Sequence, residues 1–316
     1  MQYIEKKKFI KINLKILCII IFLIGLIWHI LFKLKQINST KVCICTIGKK
    51  ENLYIREFLN FYRNYGVDKI FLYDNNDINN EKFEDVILDF INDGFVEIIN
   101  FRGILGAHYI AQQDCYKKNY QNYNWLIFYD IDEFIHLRNF NNIKKYLIRK
   151  RFNKCEIIQL NWIFHTDNNL LYYDNRSLFK RFPKIEKKAK ERKKGVKMGI
   201  KSILRGNIKT IIYDIHFLNS SLISCDGFGN IRFLNKFYTN ITDFRFNYID
   251  HFYTKSTNEF INKITRGSAT RGFDEKFKIE RIRNYFILND ISLEKINIFK
   301  NRTKYNLSNI ILKKNN

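Results

Sequence analysis

The segment WLIFYDIDEFIHL, residues 125–137, joins an aromatic and aliphatic run to three carboxylates. Its first five residues have the composition of a buried β-strand. Asp130, Asp132 and Glu133 follow at once, where such a strand would end. Asp130 and Asp132 repel each other if both are ionised near a dry strand end, so the pair needs a counter-charge. The segment therefore predicts a strand that ends in a cation-binding turn, with a solvated acidic turn as the alternative.

Upstream of this segment the apolar pattern alternates between strand and helix periods. Strands are predicted over residues 42–47, 69–73, 96–100 and 125–129, and helices over residues 53–65, 83–91 and 109–120. Such alternation predicts an α/β fold built on a Rossmann-like, largely parallel sheet flanked by helices. Ligands of these sheets bind at the carboxyl ends of the strands. Glu51 follows the first strand and Asp74 the second, so both are predicted to lie near the acidic turn.

The downstream half is less regular. Strands are predicted over residues 156–162, 202–212 and 232–238, and a helix over residues 257–264. The charge run KIEKKAKERKKGVKMGIK, residues 184–201, is typical of a solvated, mobile loop.

The 316 residues carry a formal net charge of +24. A basic chain of this kind raises the question of nucleic-acid binding. Lys, Asn and Ile are over-used throughout and Pro occurs once, which is the pattern that an AT-rich coding sequence produces. We favour this explanation over a functional basic face, and we do not expect nucleic acid as a partner.

Residues 16–32 form an apolar run that is interrupted only by His29. Its length is close to the roughly 20 residues that span a bilayer, so it predicts a transmembrane signal-anchor, with a cleaved signal peptide as the alternative. Lysines are more frequent before the run (Lys6, Lys7, Lys8, Lys11, Lys15) than after it (Lys33, Lys35, Lys41). The positive-inside rule then predicts a single-pass type II protein whose main domain is lumenal, in a compartment like the Golgi or the ER.

These features divide the chain into five segments. Residues 1–15 are a cytosolic basic tail, 16–32 the anchor, 33–40 a linker, 41–300 the catalytic domain and 301–316 a polar tail. Beyond the anchor the cysteines lack metal-binding spacing. Cys43 and Cys45 are predicted to be small buried residues on one strand face, and disulfides are possible in a lumen, with connectivity left open.

Carboxylate oxygens at Asp130 and Asp132 suit Mg²⁺ or Mn²⁺, which proteins commonly hold together with substrate phosphates. The implied substrate is a diphosphate. His216 and His251 are candidates to complete the metal shell, although a histidine among apolar residues is often simply packed. Asp74 is a candidate acceptor for the imide N–H of uracil, and an Asx-type turn with Asn75 and Asn76 is the alternative.

An ordered series of short motifs extends over residues 41–267. Its members are Lys49-Lys50-Glu51, Tyr54, Glu57-Phe58, Gly66-Val67, Tyr73-Asp74-Asn75, Asp130-Ile131-Asp132-Glu133-Phe134, Asn161-Trp162, Arg181-Phe182, Lys201-Ser202-Ile203, His216, His251-Phe252-Tyr253, Lys255-Ser256, Glu259-Phe260, Lys263 and Arg266-Gly267. In this order and spacing the chain resembles glycosyltransferase family 92, within the glycosyltransferase 2 superfamily. It departs from the family pattern at Lys50, Phe58, His108 and His165, so substrate preference is expected to differ.

The resemblance implies a GT-A fold, a nucleotide-sugar donor such as a UDP-sugar, a Mn²⁺-type cation, a glycan or glycoconjugate acceptor and inversion at the anomeric carbon. In its terms Asp130, Asp132 and His216 would hold the metal. Glu51, Asp74, Asp130, Lys201 and Lys255 would contact the donor, and Arg181 would help to steady the leaving UDP. Asp167 and Asp226 are the candidate bases, and the catalytic base stays open between them and others.

Two other functions compete with this reading. One is a membrane-tethered, non-catalytic protein that binds an anionic polymer or nucleic acid through its basic surface. The other is a phosphoryl-transfer enzyme on a similar sheet. The second is disfavoured because TIGKKEN, residues 46–52, has a single glycine where a phosphate-binding loop would be glycine-rich.

Overall fold

The computed structural model describes residues 2–186, 197–214, 216, 219, 221–232, 238–240, 247–267, 274–303, 305 and 307. The chain divides into two compact units, residues 1–40 and residues 41–316.

The first unit is one helix, α1 (Gln2–Ser39). Its portion Lys15–Ser39 has a mean hydropathy of 2.6 and the length of a membrane span, and this apolar window is not buried within the protein. The chain therefore has one candidate membrane anchor near its N-terminus. The helix also covers the predicted linker, residues 33–40, as far as Ser39, because polar residues alone do not end a helix that lacks Gly or Pro.

The second unit begins with the predicted alternation of strands and helices. Its elements are β1 (Val42–Gly48), α2 (Asn52–Asn64), β2 (Lys69–Asp74), α3 (Glu84–Asn92), β3 (Val96–Asn100), α4 (Ala107–Asn119) and β4 (Trp125–Ile127). β1 pairs in parallel with β2 and with β4, and β2 pairs in parallel with β3. In this register Gly48 lies opposite Asp74, so β1 and β2 end together.

The downstream part adds short helices and mostly antiparallel strands. These are β5 (Glu133–Leu137), α5 (Ile143–Leu147), a 3₁₀ turn (Lys150–Phe152), β6 (Ile157–Phe164), α6 (Leu178–Arg181), β7 (Lys197–Arg205), β8 (Ser224–Asp226), β9 (Ile231–Arg232), β10 (Tyr238–Asn240) and β11 (Asn247–His251). In the described residues, the strands form one mixed sheet along the order β3-β2-β1-β4-β7-β6-β11-β5. The prediction of an α/β fold with a helix-flanked mixed sheet is confirmed.

Several predicted boundaries were wrong. The charge run at residues 184–201 ends in β7, so its last five residues are strand, while residues 187–196 lie outside the described part. The strand predicted for residues 202–212 stops at Arg205. A strand was predicted for residues 232–238. Its first residue belongs to β9 and its last to β10, and residues 233–237 lie outside the described part.

Three helices complete the domain: α7 (Thr257–Thr265), α8 (Glu275–Leu288) and α9 (Leu293–Thr303). Their apolar faces form a separate core that includes Phe260, Tyr285 and Phe299. Leu307 is buried in the same core, so the compact unit continues beyond residue 300, where a polar tail was predicted.

Two disulfides stabilise the sheet. Cys45 on β1 is bonded to Cys115 on α4, and Cys155 is bonded to Cys225 on β8. Cys43 is a buried free thiol, as predicted, whereas Cys45 belongs to the first bridge. Each bridge joins segments that are 70 residues apart, which restricts the unfolded chain.

Candidate active site

The turn between β4 and β5 carries the three carboxylates. The Glu133 N–H donates to the Asp130 carbonyl oxygen at 3.0 Å, and the Asp130 N–H donates to Glu133 Oε2 at 2.9 Å. These reciprocal bonds close the turn. Asp132 and Glu133 are buried, while about a third of the Asp130 side chain is exposed, at 32%.

Strand β7 brings a lysine beneath this turn. The Lys201 ammonium lies 2.9 Å from Asp130 Oδ2 and 3.5 Å from Glu133 Oε2, and its side chain is fully buried. Burial lowers the pKa of Lys201, but Asp130 and Glu133 outweigh it and raise that pKa above its ordinary value. The amine is therefore charged, and it supplies part of the counter-charge that the acidic segment required.

Strand β11 and helix α7 bring two more groups to Asp132. His251 is the register partner of Glu133, and its Nε2 lies 3.6 Å from Asp132 Oδ1. Its Nδ1 faces Glu133 Oε1 at 4.0 Å. The Lys263 ammonium lies 2.5 Å from Asp132 Oδ2. The His251 ring packs on Trp162 with centroids 4.6 Å apart, which fixes the plane of the imidazole.

The electrostatics of the turn differ from one carboxyl to the next. Burial would raise the pKa of Asp130, but Lys201 and His108 lower it to about 2. Burial likewise opposes ionisation of Asp132, yet Lys263 and His251 hold its pKa well below the ordinary range. For Glu133, burial dominates and raises the pKa well above the ordinary value. The two aspartates are therefore anionic, whereas Glu133 favours its neutral form.

A second charged group lies next to the acidic turn. Glu51, at the start of α2, accepts from Lys255 Nζ at 3.0 Å and from Arg266 Nη2 at 2.5 Å. Burial opposes ionisation of Glu51, but Arg266 and Lys255 lower its pKa below the ordinary value. Lys255 also lies over the Tyr54 ring, 3.4 Å from the centroid, which adds a cation–π contact.

Local sequence explains why α7 presents these cations. Ser256 and Glu259 form a capping box, in which Glu259 N–H donates to Ser256 Oγ and Ser256 N–H donates to Glu259 Oε2. The helix then places Lys263 one turn after Glu259, and Arg266 follows at its C-cap. Ser-x-x-Glu at residues 256–259 is thus the local signal that starts the helix.

Two neighbouring cavities open at this edge of the sheet. The smaller, of about 150 Å³, is lined by Gly48, His108, Asp130 and Asp132 among others. A Cβ at Gly48 would lie 2.6 Å from Ile131 and Phe83, so a glycine is needed there. The larger, of about 530 Å³, is lined by side chains that include Tyr54, Tyr173 and Asn258. Both share one wall, formed by Glu51, Lys263 and Arg266.

The model of the family described as glycosyltransferase family 92 matches residues 39–287, most of the chain. This protein belongs to glycosyltransferase family 92. It is therefore a glycosyltransferase, as the motif series indicated. No curated protein sequence matches the chain.

Solved structures give weaker likenesses. TarS 1–349 of S. aureus in complex with UDP is 9% identical, aligns over 87% of this chain and 76% of that chain, and gives a TM-score of 0.38. The same protein with UDP-GlcNAc is 10% identical over 87% and 79% of the two chains, with a TM-score of 0.38. TM-scores this low carry no argument about the function of the transferase.

The structure distinguishes the two histidines considered as metal ligands. His251 faces Asp132 directly, whereas the His216 ring packs edge-on against Trp162, with centroids 5.3 Å apart. Burial lowers the pKa of His216 to about 2, so this imidazole is neutral. The geometry favours His251 over His216 as the partner of Asp132, and a metal role for His216 stays a prediction.

Asp74 adopts the turn that was the alternative to uracil binding. Its Oδ1 accepts from the Asn76 N–H at 2.9 Å, and its Oδ2 accepts from Arg102 at 3.0 Å. Burial raises the pKa of this carboxyl above its ordinary value. Both oxygens are thus engaged within the protein, and a contact of Asp74 with uracil remains a prediction.

Three other predicted residues are engaged by partners within the protein and line neither cavity. Asp167 accepts from Tyr285 Oη at 2.5 Å and pairs with Lys295 at 2.7 Å. Asp226 closes the turn after β8 by accepting the N–H groups of residues 228 and 230. Arg181 is buried in a salt bridge with Glu259 at 2.8 Å. Neither aspartate lines either cavity, so the geometry does not support them as the base, nor Arg181 as a ligand of the leaving group.

Lys201 is enclosed between Asp130 and Glu133 and lines neither cavity, and its contact with the donor stays a prediction. Lys255, by contrast, lines the larger cavity. Sequence reasoning assigned no role to Lys263 or Arg266, although both belong to the motif series. The available signal was that Lys263 lies on the helix predicted over residues 257–264 and that Arg266 follows three residues later.

Proposed function

We propose that this transferase moves a glycosyl unit from a nucleoside diphosphate sugar, a UDP-sugar, to a hydroxyl of a glycan or glycoconjugate, with inversion. The observation that carries the proposal is the pairing of Asp132 with His251 at the edge of a cavity whose wall also holds Lys263 and Arg266. Such a site joins ligands for a divalent cation to cations for a diphosphate.

We propose Mn²⁺, or Mg²⁺, as the cofactor of this site. Asp132 Oδ1 offers a carboxylate oxygen, which suits Mn²⁺ or Mg²⁺, and His251 Nε2 offers a transition-metal ligand 3.6 Å from it. His251 Nδ1 is buried, has no hydrogen-bond partner among the described residues, and faces Glu133 at 4.0 Å. A carboxyl group behind a histidine is the usual support of a metal ligand. These residues therefore fit the ion.

Two protein ligands suffice for such an ion. In the described part of the chain, no group of three or more His, Cys, Asp or Glu side chains has metal-binding geometry. Mg²⁺-type ions are commonly held by one or two carboxylates, with substrate phosphates and water completing the shell. When bound, the cation would neutralise charge on the leaving diphosphate.

In the proposed reaction the acceptor oxygen forms a bond to the anomeric carbon while the bond from that carbon to the β-phosphate oxygen breaks. The electron pair leaves with the nucleoside diphosphate, and the hydroxyl proton passes to a base. Lys263 and Arg266 stabilise the departing negative charge. Glu51 positions Arg266 and Lys255 through its two ion pairs. The larger cavity, across the shared wall, is the proposed acceptor site.

We further propose that α1 anchors the transferase with its N-terminus in the cytosol and the catalytic unit in the lumen. The lysine distribution supports this orientation. The disulfides Cys45–Cys115 and Cys155–Cys225 support it independently, since structural disulfides persist in oxidising compartments.

The test uses the full chain in detergent with a panel of nucleotide-sugars and Mn²⁺, and it measures release of the free nucleotide. Asp132→Ala is expected to reduce release by about 10²-fold or more, because it removes the carboxylate of the site. Asp68→Ala is the control, since Asp68 pairs with Lys144 outside both cavities. Unchanged release in Asp132→Ala would contradict the proposal, as would salt-sensitive polyanion binding without any nucleotide release.

A further inference from the structure

Lys263 is a cation whose position conflicts with the proposed metal site. Its ammonium lies 2.5 Å from Asp132 Oδ2 and 3.3 Å from the Tyr253 carbonyl oxygen. Tyr253 also offers its ring, 4.9 Å from the ammonium. A divalent ion on Asp132 would therefore meet a positive charge on the same carboxylate, and the two cations would repel each other.

Lys263 is also placed to move. It lines both cavities, and 15% of its side chain is exposed. Its four-carbon stem is flexible, so the ammonium reaches several positions from one backbone site. Lys201 offers the contrast, because its ammonium is held by Asp130 and Glu133, its side chain is fully buried and it lines neither cavity.

We propose that Lys263 is an exchangeable cation. In the empty site it neutralises Asp132, and when a divalent ion takes that carboxylate its ammonium transfers to the diphosphate of the donor. This inference rests on the proposed function and adds a mechanism for it. Exchange leaves Asp132 neutralised at every stage, so the site never holds a bare buried carboxylate.

Exchange has a thermodynamic consequence that binding measurements detect. Without a diphosphate, the metal must displace Lys263 into cavities where the carboxylates Asp130 and Glu51 already pair with Lys201 and Arg266. With a diphosphate present, the displaced Lys263 ammonium pairs with that diphosphate. Mn²⁺ and UDP should therefore bind with positive coupling, and by linkage each should raise the affinity for the other by the same factor.

The experiment measures Mn²⁺ binding by the loss of the free-ion EPR signal and UDP binding by calorimetry, on the full chain in detergent. In Lys263→Met, Mn²⁺ affinity without UDP should rise about tenfold, and UDP affinity at saturating Mn²⁺ should fall about tenfold, within the usual range of coupling. Lys263→Arg keeps the charge and should keep weak Mn²⁺ binding in the absence of UDP.

Lys144→Met is the matched control. Lys144 also lies 2.5 Å from a carboxylate, that of Asp68, and is similarly covered, with 13% of its side chain exposed. It lines neither cavity, so neither affinity should change. Lys263→Gln serves as a second neutral variant, and thermal melting verifies that each variant is folded.

The outcomes separate the two proposals. If the wild type binds Mn²⁺ and UDP but both neutral variants bind Mn²⁺ no more tightly without UDP, exchange at Lys263 is wrong and the proposed function stands. If the wild type binds neither probe, the proposed function fails, and the exchange fails with it.

Discussion

Two buried charge clusters in this transferase look alike in composition and differ in what they leave unsatisfied. Around Asp167, the carboxylate accepts from Tyr285, Lys295 and the Asn169 N–H, and Lys295 also donates to Asn169 and to the carbonyl of residue 290. Around Asp132, His251 Nδ1 and Glu133 Oε1 have no hydrogen-bond partner in the part of the chain that the structure describes, and a cavity borders the Asp132 carboxylate.

Among the described residues, the Asp167 cluster satisfies its polar groups, whereas the Asp132 cluster leaves two of them without partners beside a cavity. A buried charge is costly unless its partners are complete, and the Asp167 cluster completes them within the protein. The Asp132 cluster keeps part of its capacity for something that enters the cavity. Burial of an aspartate is common to both clusters, so burial alone does not distinguish the carboxylate that we propose as a metal ligand.

The largest expected effect comes from breaking the complete cluster. Lys295→Met would leave the Asp167 carboxylate buried without its cation, so the free energy of unfolding should fall by about 3–5 kcal/mol. Urea denaturation of the full chain in detergent measures it. Lys295 lines neither cavity, so the Lys295→Met protein that remains folded should keep its affinity for the nucleotide.

The matched control is Lys278→Met on α8. Lys278 pairs with Glu275 at 2.7 Å, the same distance as the Lys295–Asp167 pair, but 64% of the Glu275 side chain is exposed. Exposed pairs contribute about 0–1 kcal/mol, so this variant should be nearly neutral. Equal losses in the two variants would mean that burial does not distinguish the pairs.

A smaller loss of stability is expected at Tyr54, because its hydroxyl belongs to a buried hydrogen bond while its ring borders a cavity. Its hydroxyl donates to Glu259 Oε1 at 2.5 Å, and its ring faces Lys255 and lines the larger cavity. Tyr54→Phe removes only the hydroxyl, so unfolding free energy should fall by about 1.5–3 kcal/mol, the range for hydrogen bonds to charged groups. Thermal melting and UDP titration measure stability and binding separately. A loss of UDP affinity without a loss of stability would place Tyr54 in the donor site instead.

The smallest expected effect concerns Glu259 and the rate at which the free energy of unfolding changes with pH. Burial raises the pKa of this carboxyl, but Ser256, Tyr54 and Arg181 outweigh burial and lower the pKa below its ordinary value. Its stabilising contribution is therefore present above the unfolded pKa and is lost as pH falls through the folded pKa. Urea denaturation between about pH 5 and about pH 3 measures this. The free energy of unfolding should fall less steeply with falling pH in Glu259→Gln than in the wild type, and the two slopes should differ by at most about 1.4 kcal/mol per pH unit. An identical slope in both proteins would show that Glu259 does not titrate with unfolding.

The sequence predicted the first half of the sheet well, because each strand or helix there carries its own period. Residues 96–100, for example, were predicted as a strand, and β3 has those bounds. β5 and β11 were missed, since their stability comes from pairing with each other across more than a hundred residues. α8 and α9 were also missed, because charged and polar residues interrupt their apolar faces.

The site was predicted in the same uneven way. Asp130, Asp132 and Glu51 were placed together correctly, because strand ends of a parallel sheet meet at one edge. The partners of those carboxylates were not, since Lys263 and His251 reach Asp132 only through α7 and the pairing of β5 with β11. Long-range pairs of this kind leave no local period in the sequence.

The pairing of Glu133 with His251 also bears on when the enzyme becomes competent. During synthesis, the acidic turn emerges long before the histidine that faces it. A nascent or truncated chain that stops before β11 would carry Asp130 with its partner Lys201, yet it would lack His251 and Lys263, the partners of Asp132. Under the proposed function, activity therefore requires a chain that extends through α7.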